Sequence, residues 1–381
     1  MNRMDQVDEP ALAPALEFQA AILGGVSRTF ALTIPSLPEP LRIPVTNAYL
    51  LCRIADTIED DAALDLSQKR DFAARFVAVL DGDVRPEAFS ASLADRLGPT
   101  TLDAERELVA RTGEVVRITQ SFSPAQRTAL IRCVRLMSAG MHRFQQGAGR
   151  QGLATMREMD EYCYYVAGVV GEMLTELFCD HSPAIERNRD ELMRLAPSFG
   201  QGLQMTNILK DIWDDRERGI CWLPRHEFGQ RDGGADDLVA SLDREAFGAG
   251  LERLVVIAHG HLRNALEYTL LIPGEFRGIR RFCLWALGMA VPTLRNIYRN
   301  SEFRSGDEVK ITRRDVRRIV RRYGLFAGND AIVCWLFARA SRGLPESDPR
   351  VGDRLDEISR RAGMNLAEVP GESKQRSVTV T

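Results

Sequence analysis

The sequence predicts an all-α fold. Apolar residues recur at a period near 3.6 along most of the chain, no stretch sustains two-residue alternation, and proline and glycine fall between or at the edges of the periodic segments. The first segment spans 17–32 and runs into Thr33-Ile-Pro35-Ser-Leu-Pro38-Glu-Pro40, where three prolines in six residues stop a helix. Periodicity resumes over 44–60 and continues through 68–80, 102–118, 124–146, 156–179, 187–216, 244–271, 276–298 and 313–339. Pro183, Pro224 and Pro273, with Gly233-Gly234 and Gly248-Ala-Gly250, mark the loops between them. No long linker and no repeat interrupts the series. The expected organisation is one helical domain over 16–345, a flexible N-terminal segment over 1–15, and a polar, mobile C-terminal tail over 346–381.

Composition narrows the function classes. The chain has 381 residues, is 45% hydrophobic and 27% charged, and balances 50 Lys and Arg against 53 Asp and Glu. Such a chain folds rather than staying disordered, and its net charge of −3 gives no global pull toward nucleic acid. The seven cysteines are scattered, odd in number and without a CxxC pair, as expected of small core residues in a reducing compartment. The N-terminus lacks the basic start and apolar run of a secretory signal, and the longest apolar stretch, 283–294, is far short of the roughly 20 residues a spanning helix needs. A cytoplasmic protein without a membrane span is expected.

Two acidic patches carry the chemistry. In Asp56-Thr-Ile-Glu59-Asp60, spacings of three and four set all three carboxylates on one helix face. In the second patch Asn207, Asp211 and Asp215 recur every four residues, with Ile208, Leu209, Ile212 and Trp213 turned elsewhere. A single acidic stripe is often a solvated helix face. Two of them, each embedded in apolar sequence, suggest facing walls of one cavity. Mg²⁺, with Mn²⁺ as an alternative, takes a few carboxylates plus water and phosphate oxygens, so the pattern suits a cation–diphosphate site. The five histidines offer no HExxH spacing, and His259 and His261 point to different faces.

Groups that would hold phosphate stand nearby: Ser27 and Arg28 before the proline turn, Arg53 three residues before Asp56, and Lys210 beside Asp211. Taken singly, each is also an ordinary surface polar group. The run Tyr162-Cys-Tyr-Tyr165-Val-Ala-Gly168-Val-Val-Gly171 places two glycines three apart in a helical pattern, which marks close approach of either a neighbouring helix or an apolar ligand.

These motifs resemble the squalene/phytoene synthase family of head-to-head prenyl transferases. The matching segments are Val26-Ser-Arg-Thr-Phe30, Tyr49 through Asp56-Thr-Ile-Glu-Asp-Asp61, Tyr162-Cys-Tyr-Tyr-Val-Ala-Gly168 and Gly202-Leu-Gln-Met-Thr-Asn207-Ile-Leu-Lys-Asp211, in family order. Phe282-Cys283, an apolar helix and then Val309-Lys310-Ile311 are similar to the squalene synthase branch. The chain departs from that branch in three places. Arg281-Phe-Cys-Leu-Trp-Ala-Leu287 replaces Asn-Phe-Cys-Ala-Ile-Pro-Gln, Tyr164 replaces His, and Lys210 replaces an Arg.

The resemblance implies a helical isoprenoid synthase fold whose central cavity is lined by two Asp-rich helices. It implies condensation of two farnesyl diphosphates to presqualene diphosphate, then reduction by NADPH to squalene. Asp56, Glu59, Asp60, Asn207, Asp211 and Asp215 would hold the cation. Ser27, Arg28, Arg53, Gln204, Asn207 and Lys210 would hold phosphate, while Phe30, Tyr49 and Phe282 would line an apolar tunnel. Tyr162 would assist proton removal. No Gly-rich dinucleotide fingerprint is present, and by family position Lys310, Arg313 and Arg314 would take the NADPH phosphates. The same segment, 309–323, also reads as a basic amphipathic helix able to lie on anionic lipid, or simply as a solvated basic face. Family members that end in dehydrosqualene, phytoene or hydroxysqualene, and a non-catalytic binding member, are the alternatives. A terpene cyclase or head-to-tail transferase fits less well, because the first patch is DxxED rather than DDxxD.

Overall fold

The computed structural model describes residues 9–145, 149–230 and 235–367. Gly233-Gly234, residue 146 and the extreme termini, 1–8 and 368–381, lie outside the described residues. Among those described the regular structure is helical throughout, and the only β pairing is an isolated bridge between Leu153 and Pro224.

The chain is helical from Glu9, eight residues before the periodicity begins. Helix α1 (Glu9–Val26) buries Ala15, Phe18 and Ile22, so the N-terminal segment is not free up to residue 15. Ser27 then caps α2 (Arg28–Thr33), its Oγ accepting from Phe30 N at 3.0 Å. The proline cluster ends α2 but also starts α3 (Glu39–Asp60), with Pro40 in the first turn. Proline is tolerated there because a first-turn N–H has no partner inside the helix. Helix α4 (Leu66–Asp81) opens with an Asp65–Gln68 capping box and stops at Gly82, whose φ is +87°. Helix α5 (Pro86–Ala94) has no counterpart among the expected segments. Its signals are a proline at the helix start and the buried pair Phe89 and Leu93, four residues apart.

The expected 102–118 segment is two helices, α6 (Asp103–Ala110) and α7 (Thr112–Ser121), hinged at Arg111. After α8 (Pro124–Gln145), the Tyr-rich run forms α9 (Met156–Cys163), a π-helical turn over Tyr164–Gly168, and α10 (Val169–His181). The short α11 (Pro183–Glu186) leads to α12 (Arg189–Lys210), and α13 (Ile212–Glu217) follows after a break at Asp211. Helices α14 (Leu238–Ser241), α15 (Arg244–Leu271), α16 (Arg277–Arg299) and α17 (Gly306–Val309) come next. The 313–339 segment divides into α18 (Arg313–Phe326) and α19 (Asp330–Ala340), with Asn329 capping the second.

Helix α12 is the central element, packed against α10, α15 and α16. Two glycines set its distance from the Tyr-rich helix. A Cβ on Gly171 would lie 2.2 Å from the Ala196 carbonyl oxygen, and one on Gly200 would lie 2.1 Å from that of Ala167. The question left open by the glycine spacing is thereby answered for Gly171: backbone meets backbone across α10 and α12.

The C-terminal tail is the main correction. Helix α20 (Val351–Ala367) buries Val351, Leu355, Ile358 and Ala362 against the domain. Arg354 pairs with the buried Asp160 at 3.2 Å, and Ser359 Oγ donates to Glu172 Oε1 at 3.0 Å. Its four apolar residues at spacings of three and four are an amphipathic stripe inside a sequence that reads as polar on average.

Candidate active site

A cavity of about 630 Å³ opens between α2, α3, α10, α12 and α16. Its interior is apolar. Phe30, Tyr49 and Phe282 form an aromatic wall, with ring centroids 4.6 Å apart for Phe30 and Tyr49 and 6.3 Å for Phe30 and Phe282. Val166, Val170, Leu174 and Leu203 continue this lining, and the π turn brings Val166 and Ala167 to it. A π turn inserts one residue into the helical register, so Val166 and Ala167 can face the cavity while Tyr164 faces away. Tyr164 Oη donates to Glu172 Oε1 at 2.9 Å, Arg132 pairs with the same carboxylate at 2.8 Å, and the cluster holds α20 through Ser359. The tyrosine in place of the family histidine thus serves packing behind the cavity.

The polar groups gather at one end. Ser27, Thr29, Arg53, Asp56, Gln204, Asn207, Lys210 and Lys310 all line it. Tyr49 Oη donates to the Val26 carbonyl at 2.8 Å and accepts from Arg53 Nε at 3.2 Å, which aims the guanidinium along α3 toward Asp56 at 3.8 Å and Glu105 at 3.6 Å. Lys210 Nζ pairs with Asp211, and Lys310 Nζ pairs with Asp307 at 2.8 Å. Lys310 therefore reaches the cavity wall, whereas Arg313 and Arg314 are exposed on the first turn of α18 and do not line it. Arg28 is likewise exposed and stands outside the lining, although its neighbours Ser27 and Thr29 contribute to it.

The carboxylates are held in an unfavourable setting. Burial pushes Asp56 up to about 7, with Asp60 and Glu105 adding to the rise and Arg53 opposing it. Burial raises Glu59 well above its ordinary value, helped by Asp60 and Asp56 and opposed by Lys69. Asp60, exposed at the end of α3, is also raised by desolvation from the surrounding protein, with Arg53, Arg218 and Lys69 opposing. Asp215 rises to about 6 through burial, then Asp211, Asp214 and Asp60, against the pull of Arg218. The two patches therefore feel one another, as facing walls should. Asp61 is the contrast: against its own desolvation, hydrogen bonds from Thr101, Gly98 N and Ala63 N hold it below the usual range. It ties down the loop after α3 and is no part of the acidic wall.

These donors fit a hard divalent cation in kind, since four raised carboxylates around a cleft are relieved by positive charge. Among the described residues no three of them converge as a ready cage. Further oxygens from water and diphosphate would have to complete the shell, as is usual for Mg²⁺.

Tyr162 is buried beside the acidic groups and is absent from the cavity lining. Its ring stacks on Trp222 with centroids 3.9 Å apart and meets Phe144 edge-on at 5.6 Å. Burial, then Glu59, Cys163, Asp60 and Asp215, pushes its hydroxyl well above 10. Sequence reasoning missed Trp222, Arg218 and Glu105. Arg218, three residues after Asp215 and 3.7 Å from it, was legible from helical spacing; Trp222 and Glu105 reach the site only through the tertiary fold.

A family profile described as squalene/phytoene synthase matches residues 23–315, an interval that includes both acidic patches and the aromatic wall. The chain belongs to the squalene/phytoene synthase family. Head-to-head prenyl transfer is that family's chemistry, which makes the protein a prenyltransferase. It is 29% identical to a squalene synthase of Gibberella zeae over 346 residues, 90% of this chain and 71% of that one. It is 29% identical to a probable squalene synthase of Neurospora crassa over 330 residues, spanning 85% of this chain and 65% of the fungal protein. The solved structure of TcSQS with the ligand BPH1237 superposes with a TM-score of 0.67 at 26% identity, covering 93% of this chain and 99% of that chain. The fold is the helical isoprenoid synthase type. No described helix is long and apolar enough to cross a membrane.

Proposed function

We propose that the protein condenses two farnesyl diphosphates head-to-head to presqualene diphosphate and reduces that intermediate with NADPH to squalene, with diphosphate leaving in both steps. The observation that carries this reading is the polarity gradient of a single cavity: an aromatic, apolar interior beneath one end at which Arg53, Lys210 and Lys310 meet Asp56 and Asn207, with Asp211 paired to Lys210. An allylic diphosphate is itself such a gradient, and ionising it places charge at the polar end and a carbocation in the apolar one.

Asp56, Glu59, Asp60, Asn207, Asp211 and Asp215 would hold Mg²⁺, which when bound stabilises the negative charge of the departing diphosphate. Arg53 and Lys210 hold its phosphate oxygens, with Ser27 and Gln204 as neutral donors. Phe30, Tyr49 and Phe282 present π faces to the cation and exclude the water that would quench it. Tyr162 is a poor base while ionised carboxylates surround it, so its assistance to proton removal depends on those groups being neutralised. Lys310 on the cavity wall and the exposed Arg313 and Arg314, which form no ion pair among the described residues, suit the phosphates of NADPH.

Of the departures in the late segment, only Ala286, in place of a proline, lines the cavity. Phe282 and Cys283 line it, whereas Arg281 turns away and its Nε donates to the Gly324 carbonyl at 2.9 Å. Leu284 is buried in a second, smaller core with Tyr323. This favours retention of the reductive step. The test is to incubate the protein with farnesyl diphosphate and Mg²⁺, with and without NADPH, and identify the extracted products. Squalene only with NADPH, and presqualene diphosphate accumulating without it, is the expected result; dehydrosqualene or an alcohol regardless of NADPH would remove the reductive half.

The basic segment contributes an orientation. Val316 lines the prenyl cavity, while Ile319 and Tyr323 pack on Gly288 of α16, so the apolar stripe of α18 is occupied. Contact with an anionic membrane would therefore use the exposed Arg313, Arg314, Arg317 and Arg321 at the surface.

A further inference from the structure

A second cavity, also about 630 Å³, lies between α16, α18 and α19. Its walls carry Arg295, Arg299, Arg318, Arg322, Arg339 and Arg342, and Asp315 is the only carboxylate among the lining residues. That carboxylate is already engaged, pairing with Arg318 at 3.3 Å and accepting from Thr312 Oγ1 at 2.6 Å. Arg322 and Arg342 form no side-chain hydrogen bond or ion pair among the described residues, and Arg299 reaches only a backbone carbonyl, that of Arg342 at 3.2 Å. Arg295 donates to the Ala340 carbonyl at 3.1 Å, yet its buried Nε has no acceptor. Burial and the neighbouring Arg299 both push its guanidinium pKa down. The floor is apolar, built by Ile319, Tyr323 and Leu336, with Gly288 admitting α18 so closely that a Cβ there would lie 2.7 Å from Ile319.

Six guanidinium groups around one concavity repel one another and cost stability unless an anion offsets them. Planar forks with free N–H donors match phosphate oxygens bidentately, and an apolar floor suits the organic part of such a molecule. The geometry points to a binding site for an organic phosphate, with its phosphate group or groups held by Arg299, Arg322 and Arg295 and its carbon part on Ile319 and Leu336. This site is separate from the prenyl cavity, although Ile311 borders both. It does not depend on the proposed reaction. Two sources share the chemistry: the headgroup of an anionic lipid, reached from the neighbouring basic face, and a soluble phosphate ester.

The experiment compares two charge-matched double variants. Arg299→Gln with Arg322→Gln removes two cavity arginines, and Arg317→Gln with Arg321→Gln removes two exposed arginines outside the cavity lining. All four positions are solvent-exposed, so both variants should fold, which a circular dichroism melt checks; Arg322→Gln with Arg342→Gln is the substitute cavity pair. Inorganic diphosphate is titrated calorimetrically in EDTA, and vesicles of phosphatidylcholine with or without phosphatidylglycerol are tested by co-sedimentation. Diphosphate affinity should fall about tenfold or more in the cavity variant, from the loss of charge-assisted bonds, and stay near wild type in the other. Loss of phosphatidylglycerol-dependent sedimentation in the cavity variant beyond that in the outer variant assigns the site to a lipid headgroup. Equal sedimentation of the two, with the diphosphate difference retained, assigns it to a soluble phosphate. If the two variants behave alike with both probes, the arginines are a diffuse basic surface and the inference is overturned.

Discussion

At the scale of single residues, identical chemistry has opposite consequences according to what the fold places around it. Asp56, Glu59, Asp60 and Asp61 sit in one short run, yet burial raises the first three, with neighbouring carboxylates adding to the rise at Asp56 and Glu59, while Asp61 is held low by three donors. The run alone shows a charged patch; only the tertiary neighbours separate working carboxylates from a loop anchor. The helical glycines divide in the same way. Gly200 faces the Ala167 carbonyl, whereas a Cβ on Gly248, also helical, meets nothing within 4 Å. Gly200→Ala should therefore cost about 1–3 kcal/mol of overpacking, outweighing the roughly 1 kcal/mol that alanine gains in helix propensity. Gly248→Ala should be stabilising by about 0.5–1 kcal/mol. Chemical denaturation of the two variants checks both signs.

At the scale of elements, long apolar periodicity reads through to the structure: the segments expected at 124–146, 244–271 and 276–298 are α8, α15 and α16 almost to their ends. What the period does not carry is the local interruption. The hinge at Arg111, the π turn at Tyr164 and the break at Asp211 each fall inside a segment that spacing alone reads as one helix. Helix α20 escaped because its four core residues are diluted by charge, and its anchoring partners, Asp160 and Glu172, lie far away in sequence. Leu355→Ala should lower stability by about 2–5 kcal/mol, measured by urea unfolding, if α20 is an integral layer. A change within experimental error would return 351–367 to the status of a tail. Between α12 and α15, His261 is buried with Nδ1 2.7 Å from Ser198 Oγ, and burial pushes its pKa down to about 3. The unfolded chain, with an ordinary histidine near 6.5, takes up the proton first, so this contribution is complete above about pH 6.5 and is lost as pH falls toward 3. Thermal melts from about pH 7 to about pH 4 should show wild type losing stability relative to His261→Gln.

At the scale of the whole molecule, the fold brings residues 27–56, 204–210 and 282–311 to one cavity, and the motifs that pointed to them were legible because that chemistry needs fixed residue types at fixed helical spacings. Arg28, Arg313 and Arg314, and the carboxylates Glu59, Asp60, Asp211 and Asp215, share those motifs yet stand outside the lining, since a position within a motif does not fix which way a side chain turns. The arginine cavity beside α18 escaped for the complementary reason: its six arginines come from three helices and the segment just after the last, and no local pattern unites them. The central claim is that the two acidic walls act as one site on the same diphosphate. Its most direct measurement is the initial rate of diphosphate release from farnesyl diphosphate with Mg²⁺ in Asp56→Asn, Asp215→Asn and the double variant. If the walls form one unit, each single change should lower the rate about 10²–10³-fold and the double change should add little more. Losses that multiply in the double variant, or a single variant near wild-type rate, would contradict the account.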